Sequence, residues 1–142
     1  MKISARNQFP GKIKSIRTGA VNDEIVIALS PDQDIVAIIT ESSTQNLRLT
    51  EGSEVFALIK ASSIILATDV DGLVFSARNQ LTGTITEASK GAVNSEIVMD
   101  AGNNIQISAV VTNASFDNLG LAVGIKATAI FKASSVIVAA KA

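Results

Sequence analysis

Four short polar motifs occur twice in this chain, in the same order and 72 residues apart. Ser4-Ala5-Arg6-Asn7-Gln8 returns as Ser76-Ala77-Arg78-Asn79-Gln80. Gly19-Ala20-Val21-Asn22, with Glu24 just behind it, returns as Gly91-Ala92-Val93-Asn94 with Glu96. Thr40 and Ser43 return as Thr112 and Ser115, and Lys60-Ala61-Ser62-Ser63 returns as Lys132-Ala133-Ser134-Ser135. Apolar residues recur in a repeat because both copies must pack. Polar residues at fixed places need another reason. Each copy holds hydroxyls, an amide, one Arg and one Lys, a set of hydrogen-bond donors with two positive charges. Such a set suits a doubly charged oxyanion, which only accepts and gains about 1.5–3 kcal/mol from each charge-assisted bond. It does not suit a hard metal cation, which wants clustered carboxylates.

Each motif also has a plainer use. Arg6 and Lys60 could be strand-edge charges. The Gly-Ala-Val-Asn segment could be a simple turn before a strand. Thr40 could serve as a helix cap, with Ser43 beside it. Glu24 and Glu96 are expected to tie that turn down. They have no second recurring carboxylate near them, so an acid/base pair, and with it an enzyme, is not expected.

The elements that must carry these motifs read as short strands. Gly11–Arg17 alternates with a period of two. Glu24–Leu29 and Ile35–Thr40 are β-branched runs separated by Ser30-Pro31-Asp32, a turn sequence. Glu54–Lys60 and Ser63–Ala67 follow, and the second copy preserves all five. One stretch per copy lacks alternation and opens with a capping residue, so short helices are expected from about Thr40 and Thr112. The pattern β-β-β-helix-β-β predicts an all-β chain of two tandem OB-like five-stranded barrels, over residues 1–68 and 73–142. Closure hides the sheet edges of so small a barrel. Without a gap, residues 1–70 match 73–142 at 29 of 70 positions. Two copies of domain size mean a duplication rather than a solenoid.

Composition narrows the rest. A 70-residue unit buries only roughly 60% of its unfolded surface and is marginal alone. With 47% hydrophobic and 18% charged residues, self-association is expected. There is no Cys and no His, so disulfides, the common transition-metal ligands and a His-based triad are all excluded. A net charge of −1, five Phe and no Tyr or Trp do not build the basic, aromatic groove that single-stranded nucleic acid needs. The start of the chain does not read as a signal peptide, and no apolar run approaches a membrane span, so a cytoplasmic location without membrane partners is expected. Two alternatives to oxyanion binding are a non-enzymatic structural oligomer and an OB-type nucleic-acid-binding module.

The four motifs, in register and twice over, resemble the molbindin (Mop-type) family, in its cytoplasmic di-domain form. The resemblance implies OB-like barrels, a homotrimer with its barrels in a ring, and molybdate or tungstate bound between barrels of neighbouring subunits for molybdenum storage and homeostasis. It implies no cofactor beyond that ligand, and no nucleic acid. Carried over, the oxyanion sites use Ser4, Ala5, Arg6 and Asn7 with Thr40, Ser43, Lys60, Ala61 and Ser62. Their counterparts are Ser76, Ala77, Arg78 and Asn79 with Thr112, Ser115, Lys132, Ala133 and Ser134. Ala5 and Ala61 would offer backbone N–H groups. A second class of site on a threefold axis would involve Gly19, Ala20, Val21 and Asn22, and Gly91, Ala92, Val93 and Asn94. Whether site halves pair within or across chains is open. The 142 residues hold no helix-turn-helix and no nucleotide-binding loop, which favours storage over gene control or transport.

Overall fold

A computed structural model describes residues 1–141. Among the described residues, five strands and one short helix follow one another in the same order twice. The first series is β1 (Asn7–Arg17), β2 (Asn22–Ser30), β3 (Gln33–Thr40), α1 (Glu41–Asn46), β4 (Glu54–Ile59) and β5 (Ile65–Ala67). The second is β6 (Asn79–Lys90), β7 (Asn94–Asp100), β8 (Gln106–Thr112), α2 (Asn113–Asn118), β9 (Lys126–Phe131) and β10 (Ile137–Ala140). A 3₁₀ turn precedes β5 (Ala61–Ser63) and another precedes β10 (Ala133–Ser135).

The strands form because their side chains alternate. Along β2, Asp23, Ile25 and Ile27 are buried while their neighbours are not. Along β7, Ser95, Ile97 and Met99 are buried between exposed or half-buried residues. The helices start where expected. The Thr40 hydroxyl accepts the Ser43 N–H at 3.1 Å, and the Thr112 hydroxyl accepts that of Ser115 at 3.1 Å. Both helices stop after two turns as the chain enters left-handed backbone. Gly120 does so freely at φ 63°, whereas Arg48 takes φ 53° without glycine's freedom. Neither helix is long and apolar enough to cross a membrane.

The chain is nearly all-β, with two five-stranded OB-like sheets. Their orders are β10-β4-β1-β2-β3 and β5-β9-β6-β7-β8. The long strands β1 and β6 each carry a register shift at the same relative place, between Ile13 and Ser15 and between Ile85 and Glu87. A bulge there bends a strand enough to serve two edges of a small barrel. At that point Ile13 turns to exchange bonds with Gly52 and Ser53, and Ile85 with Gly124 and Ile125.

The sheet orders also reveal an exchange. Strand β10 pairs with β4, Leu58 opposite Ile137, and β5 pairs with β9, Ile65 opposite Ile130. The compact units are therefore not the repeats 1–68 and 73–142 taken whole. The β1–β4 unit contains Gln8–Ile59 and the chain from Lys132 on; the β6–β9 unit contains Met1–Asn7 and Lys60–Phe131. The first core holds Ile13, Ile25, Ile27, Ile35, Val55 and Ile59 with Val136 and Val138; the second holds Leu81, Ile85, Ile97, Met99, Ile107 and Phe131 with Ile64 and Leu66.

Element boundaries differ from expectation at two motifs. Strand β1 begins at Asn7 rather than Gly11, so the first polar motif runs into the sheet. Lys60-Ala61-Ser62-Ser63 leaves the strand instead of continuing it. The Ser63 N–H bonds the Lys60 carbonyl at 2.9 Å, closing a 3₁₀ turn, and β5 resumes only at Ile65.

Candidate functional site

In the β6–β9 unit, strand β8 is one of the two end strands of its sheet. An edge strand presents unpaired backbone groups, and here a side chain takes the place of a missing strand. Asn7 Nδ2 donates to the Ser108 carbonyl at 2.9 Å, and the Ser108 N–H donates to Asn7 Oδ1 at 2.8 Å. Asn7 is 1% exposed. Its amide is thus engaged on both sides in anchoring the N-terminal residues.

One residue earlier, Arg6 Nη2 lies 2.6 Å from Glu96 Oε1 on β7. The hydrogen bond from Arg6, then its charge, holds the Glu96 carboxyl below the ordinary carboxylate range. The guanidinium is raised in turn by the same two causes. Strand register fixes what shares this face. Glu96 stands opposite Val110 and Asn94 opposite Thr112, and the alternation of β7 and β8 turns Asn94, Glu96, Val110 and Thr112 away from the buried Ile97 and Ala109. The 3₁₀ turn after Lys60 packs against β8. Its Ala61 is buried, while Lys60 and Ser62 stay exposed. The Ser115 hydroxyl lies 3.0 Å from that of Thr112. One unit thus collects Ser4–Asn7 and Lys60–Ser62 from the first repeat with Thr112 and Ser115 from the second. Ser76–Asn79 belong to it as well, with Asn79 entering β6 opposite Phe131.

The β1–β4 unit collects the complementary set. The 3₁₀ turn after Lys132 packs on β3. A cavity of about 380 Å³ is lined by Thr40, Ser43 and Ser134, with Asn22, Ile38, Ile39, Leu47, Val136, Ile137 and Val138 around them. The Thr40 and Ser43 hydroxyls are 2.8 Å apart. Ala133 is buried beneath the turn, and Lys132 and Ser134 are exposed. A larger hollow of about 650 Å³, between Asn46–Leu49 and Ala140, gathers none of the recurring donors.

The Gly-Ala-Val-Asn segments are loops that lead into β2 and β7. A Cβ on Gly19 would sit 2.5 Å from the Asn22 carbonyl oxygen, and one on Gly91 2.6 Å from that of Asn94. The loops close too tightly for any side chain there. Val21 and Val93 project from them, 71% and 76% exposed.

Two sequence readings need correction. Glu96 does not tie down its loop; it pairs with Arg6. The loops are held instead by Asp23, which accepts the Gly19 N–H at 3.3 Å, and by Asn113, which donates to the Gly91 carbonyl at 2.9 Å. Asn7, expected as a direct donor, has its side chain buried on Ser108. Thr40 and Thr112 do serve as helix caps, and this leaves their oxygens partly committed. The sequence reading missed Ser108, because it contributes only backbone.

Among the described residues, no group of His, Cys, Asp and Glu could hold a metal ion. What the two donor clusters can do is bind an acceptor: hydroxyls, small-residue turns with nearby N–H groups, and one flexible ammonium each.

Comparison with known proteins accords with this chemistry. The molybdenum-pterin-binding protein MopA of Rhodobacter capsulatus is 47% identical over 139 residues, which is 98% of this chain and 52% of MopA. The molybdenum transport protein ModE of Herbaspirillum seropedicae is 45% identical over 139 residues, again 98% of this chain and 52% of the relative. The chain spans about half the length of these two relatives. A crystal structure of the cytoplasmic molybdate-binding protein ModG, with molybdate bound, superposes with a TM-score of 0.96 at 41% identity, covering 99% of this chain and 100% of that one. The TOBE domain family matches twice, over residues 3–66 and 76–138. With both repeats matched and the whole fold shared, the chain belongs to the TOBE domain family.

Proposed function

We propose that this chain binds molybdate, and tungstate as a near match in shape and charge, as a non-enzymatic store of molybdenum. The observation that carries this reading is the exchange of the closing strands. It puts each Lys-Ala-Ser-Ser turn in the same unit as the Thr-x-x-Ser pair of the other repeat, so both units gather the same donor types. The molybdate-binding character of ModG, alike over the whole chain, supports the choice of anion. Ser4, Ala5, Arg6 and Asn7, with Ser76, Ala77, Arg78 and Asn79, all in the β6–β9 unit, are the further donors of the proposed sites. Asn7 acts through its position. A homotrimer, in which neighbouring copies bring such sets together, and a cytoplasmic location complete the proposal. Gly19–Asn22 and Gly91–Asn94, with their exposed valines, are the proposed second class of site.

Elemental analysis after incubation with molybdate and gel filtration is the test. Molybdenum or tungsten at several atoms per oligomer is expected; none would end this reading. Calorimetric titration of Arg6→Ala and of Lys132→Ala should each show partial loss of stoichiometry. Unchanged isotherms would remove those residues from the site. No imidazole is present, and the reference values of Lys and Arg side chains lie far above neutral pH, so affinity is expected to stay nearly constant from about pH 6.5 to 8.5. A tenfold loss between pH 7 and 8 in equilibrium dialysis would mean that another group controls binding.

A second reading is favoured by one observation, the roughly half-length match to MopA and ModE. In it the same molybdate-binding pair of barrels is one portion of a longer molybdenum-handling protein. The mass of a single subunit, measured under denaturing conditions on protein isolated from its own cells, separates the two readings: 14.7 kDa fits the store and a larger subunit fits the portion.

A further inference from the structure

The Arg6–Glu96 pair places a carboxylate on the face that carries candidate donors. Glu96 lies opposite Val110 on β8 and one diagonal step from Thr112. Diagonal neighbours on a sheet face are about 7–8 Å apart. A guanidinium has five N–H donors in a fixed fork, and one Nη2–Oε1 bond leaves the others available to a second acceptor. The carboxylate therefore acts in two ways. It gives one end of the Arg6 head group a partner on β7, and it offsets one of the two positive charges that Arg6 and Lys60 bring to the unit.

Other charges around Glu96 do not offset it. On β6, Ser89 stands opposite, with Glu87 two residues along on the same face. Lys90 is held by Asp117 of α2 at 2.9 Å. On β8 the residues of this face, Ser108, Val110 and Thr112, are uncharged. Lys60 precedes the turn that packs against β8. Arg6 is the cation in contact with Glu96.

Resting on the molybdate reading, we propose that Glu96 is a positioning and charge-setting residue of the oxyanion site: it holds Arg6 over the face shared with Thr112 while its own charge opposes the dianion, so that the ligand is held less tightly than the donors alone would hold it. A store must release its cargo, and a fixed opposing charge keeps affinity in a releasable range without a moving part. Because Arg6 keeps the carboxyl ionised well into acid, the opposition is constant across neutral pH. It lifts only as pH falls through the lowered value.

Calorimetric titration of molybdate into the full chain tests this, with wild type, Glu96→Gln and Glu96→Asp compared at low and high salt. Glu96→Gln is expected to bind about tenfold tighter at low ionic strength, the scale of one charge opposing a dianion several ångströms away in a solvated site. The gain should shrink at about 1 M salt, where the screening length falls to about 3 Å. Glu96→Asp keeps the charge and should stay within about threefold of wild type, a result that lost packing would not give. If Glu96→Gln fails to fold, Glu96→Thr, a strand former without charge, takes its place. A wild type that binds molybdate while the uncharged variant binds equally or more weakly overturns this inference alone. A wild type that takes up no molybdate overturns the molybdate reading, and this inference with it.

Discussion

The two Gly-Ala-Val-Asn loops are identical in sequence and are held in different ways. In the first, the buried carboxylate of Asp23 accepts the Gly19 N–H at 3.3 Å. In the second, Ser95 takes the place of Asp23 and works through a neutral relay. Its hydroxyl donates to Asn113 Oδ1 at 2.6 Å, and Asn113 Nδ2 donates to the Gly91 carbonyl at 2.9 Å. An ion pair between Lys90 and Asp117 adds a tie from the end of β6 to α2, for which the first repeat has Thr18 and Gln45. The backbone beyond is the same: Glu41 N–H bonds the Val21 carbonyl, and Asn113 N–H that of Val93. The supports have diverged and the loop has not. Packing inside the unit therefore does not explain the constancy of Ala20, Val21 and Asn22. Besides their backbone bonds and close-packed glycines, the two loops share their exposed side, with Val21 and Val93 71% and 76% exposed.

Substitutions at paired positions can break that comparison. The largest effect is expected from Gly19→Val and Gly91→Val. Each would press a Cβ to within 2.5–2.6 Å of a carbonyl oxygen. Both should lose about 3 kcal/mol in urea unfolding, the upper end of overpacking costs. A loss at one position alone would show that the loops are not equivalent in backbone.

Next come the supports. Asn113→Ala removes both bonds of the relay and leaves the buried Ser95 hydroxyl without its acceptor, at a cost of about 2 kcal/mol. Asp23→Asn keeps an acceptor for Gly19 and should cost about 1 kcal/mol or less. Equal losses would mean that the carboxylate does more than accept one N–H.

The caps sharpen the comparison from the other side, because here the two repeats agree. Thr40→Ala and Thr112→Ala should each cost about 1 kcal/mol, measured by thermal unfolding. Smallest is Lys90→Ala. Its ion pair is about half exposed, so the expected loss is about 0–1 kcal/mol and should vanish in high salt. A larger, salt-independent loss would give the pair a structural weight that the first loop does without.

Much of this was legible in the sequence, because strand alternation and capping residues act locally. Ile25 and Ile27 on one face of β2, and Thr40 three residues before Ser43, announce their elements without help from the rest of the chain. Long-range choices were not legible. Ala61–Ala67 and Ala133–Ala139 have nearly the same pattern, so either could complete either sheet, and no local preference says which does. Arg6 and Glu96 both recur in the sequence, but their pairing depends on residues 1–7 lying with the β6–β9 unit. Asn7 read as a ligand donor because it is polar and recurs. Its burial on the backbone of Ser108 depends on an edge that exists only once β8 has formed.

The crossing-over of β5 and β10 also sets an order of events as the chain is made. Strand β4 pairs with β10 through contacts such as Val55 with Ala140, so its edge stays open until Ile137–Ala140 has been synthesised. Asn7 waits across 101 residues for Ser108. Contacts of such long sequence separation slow folding, since loop-closure entropy is lost before they form. An unpaired edge such as that of β4 is a template for a strand from any neighbouring chain. A nascent copy beside another nascent copy could borrow the wrong Ile137–Ala140, with the same bonds and the same register. Dilute refolding should therefore yield the native exchange, and concentrated refolding should trap chains linked through each other's β10 strands.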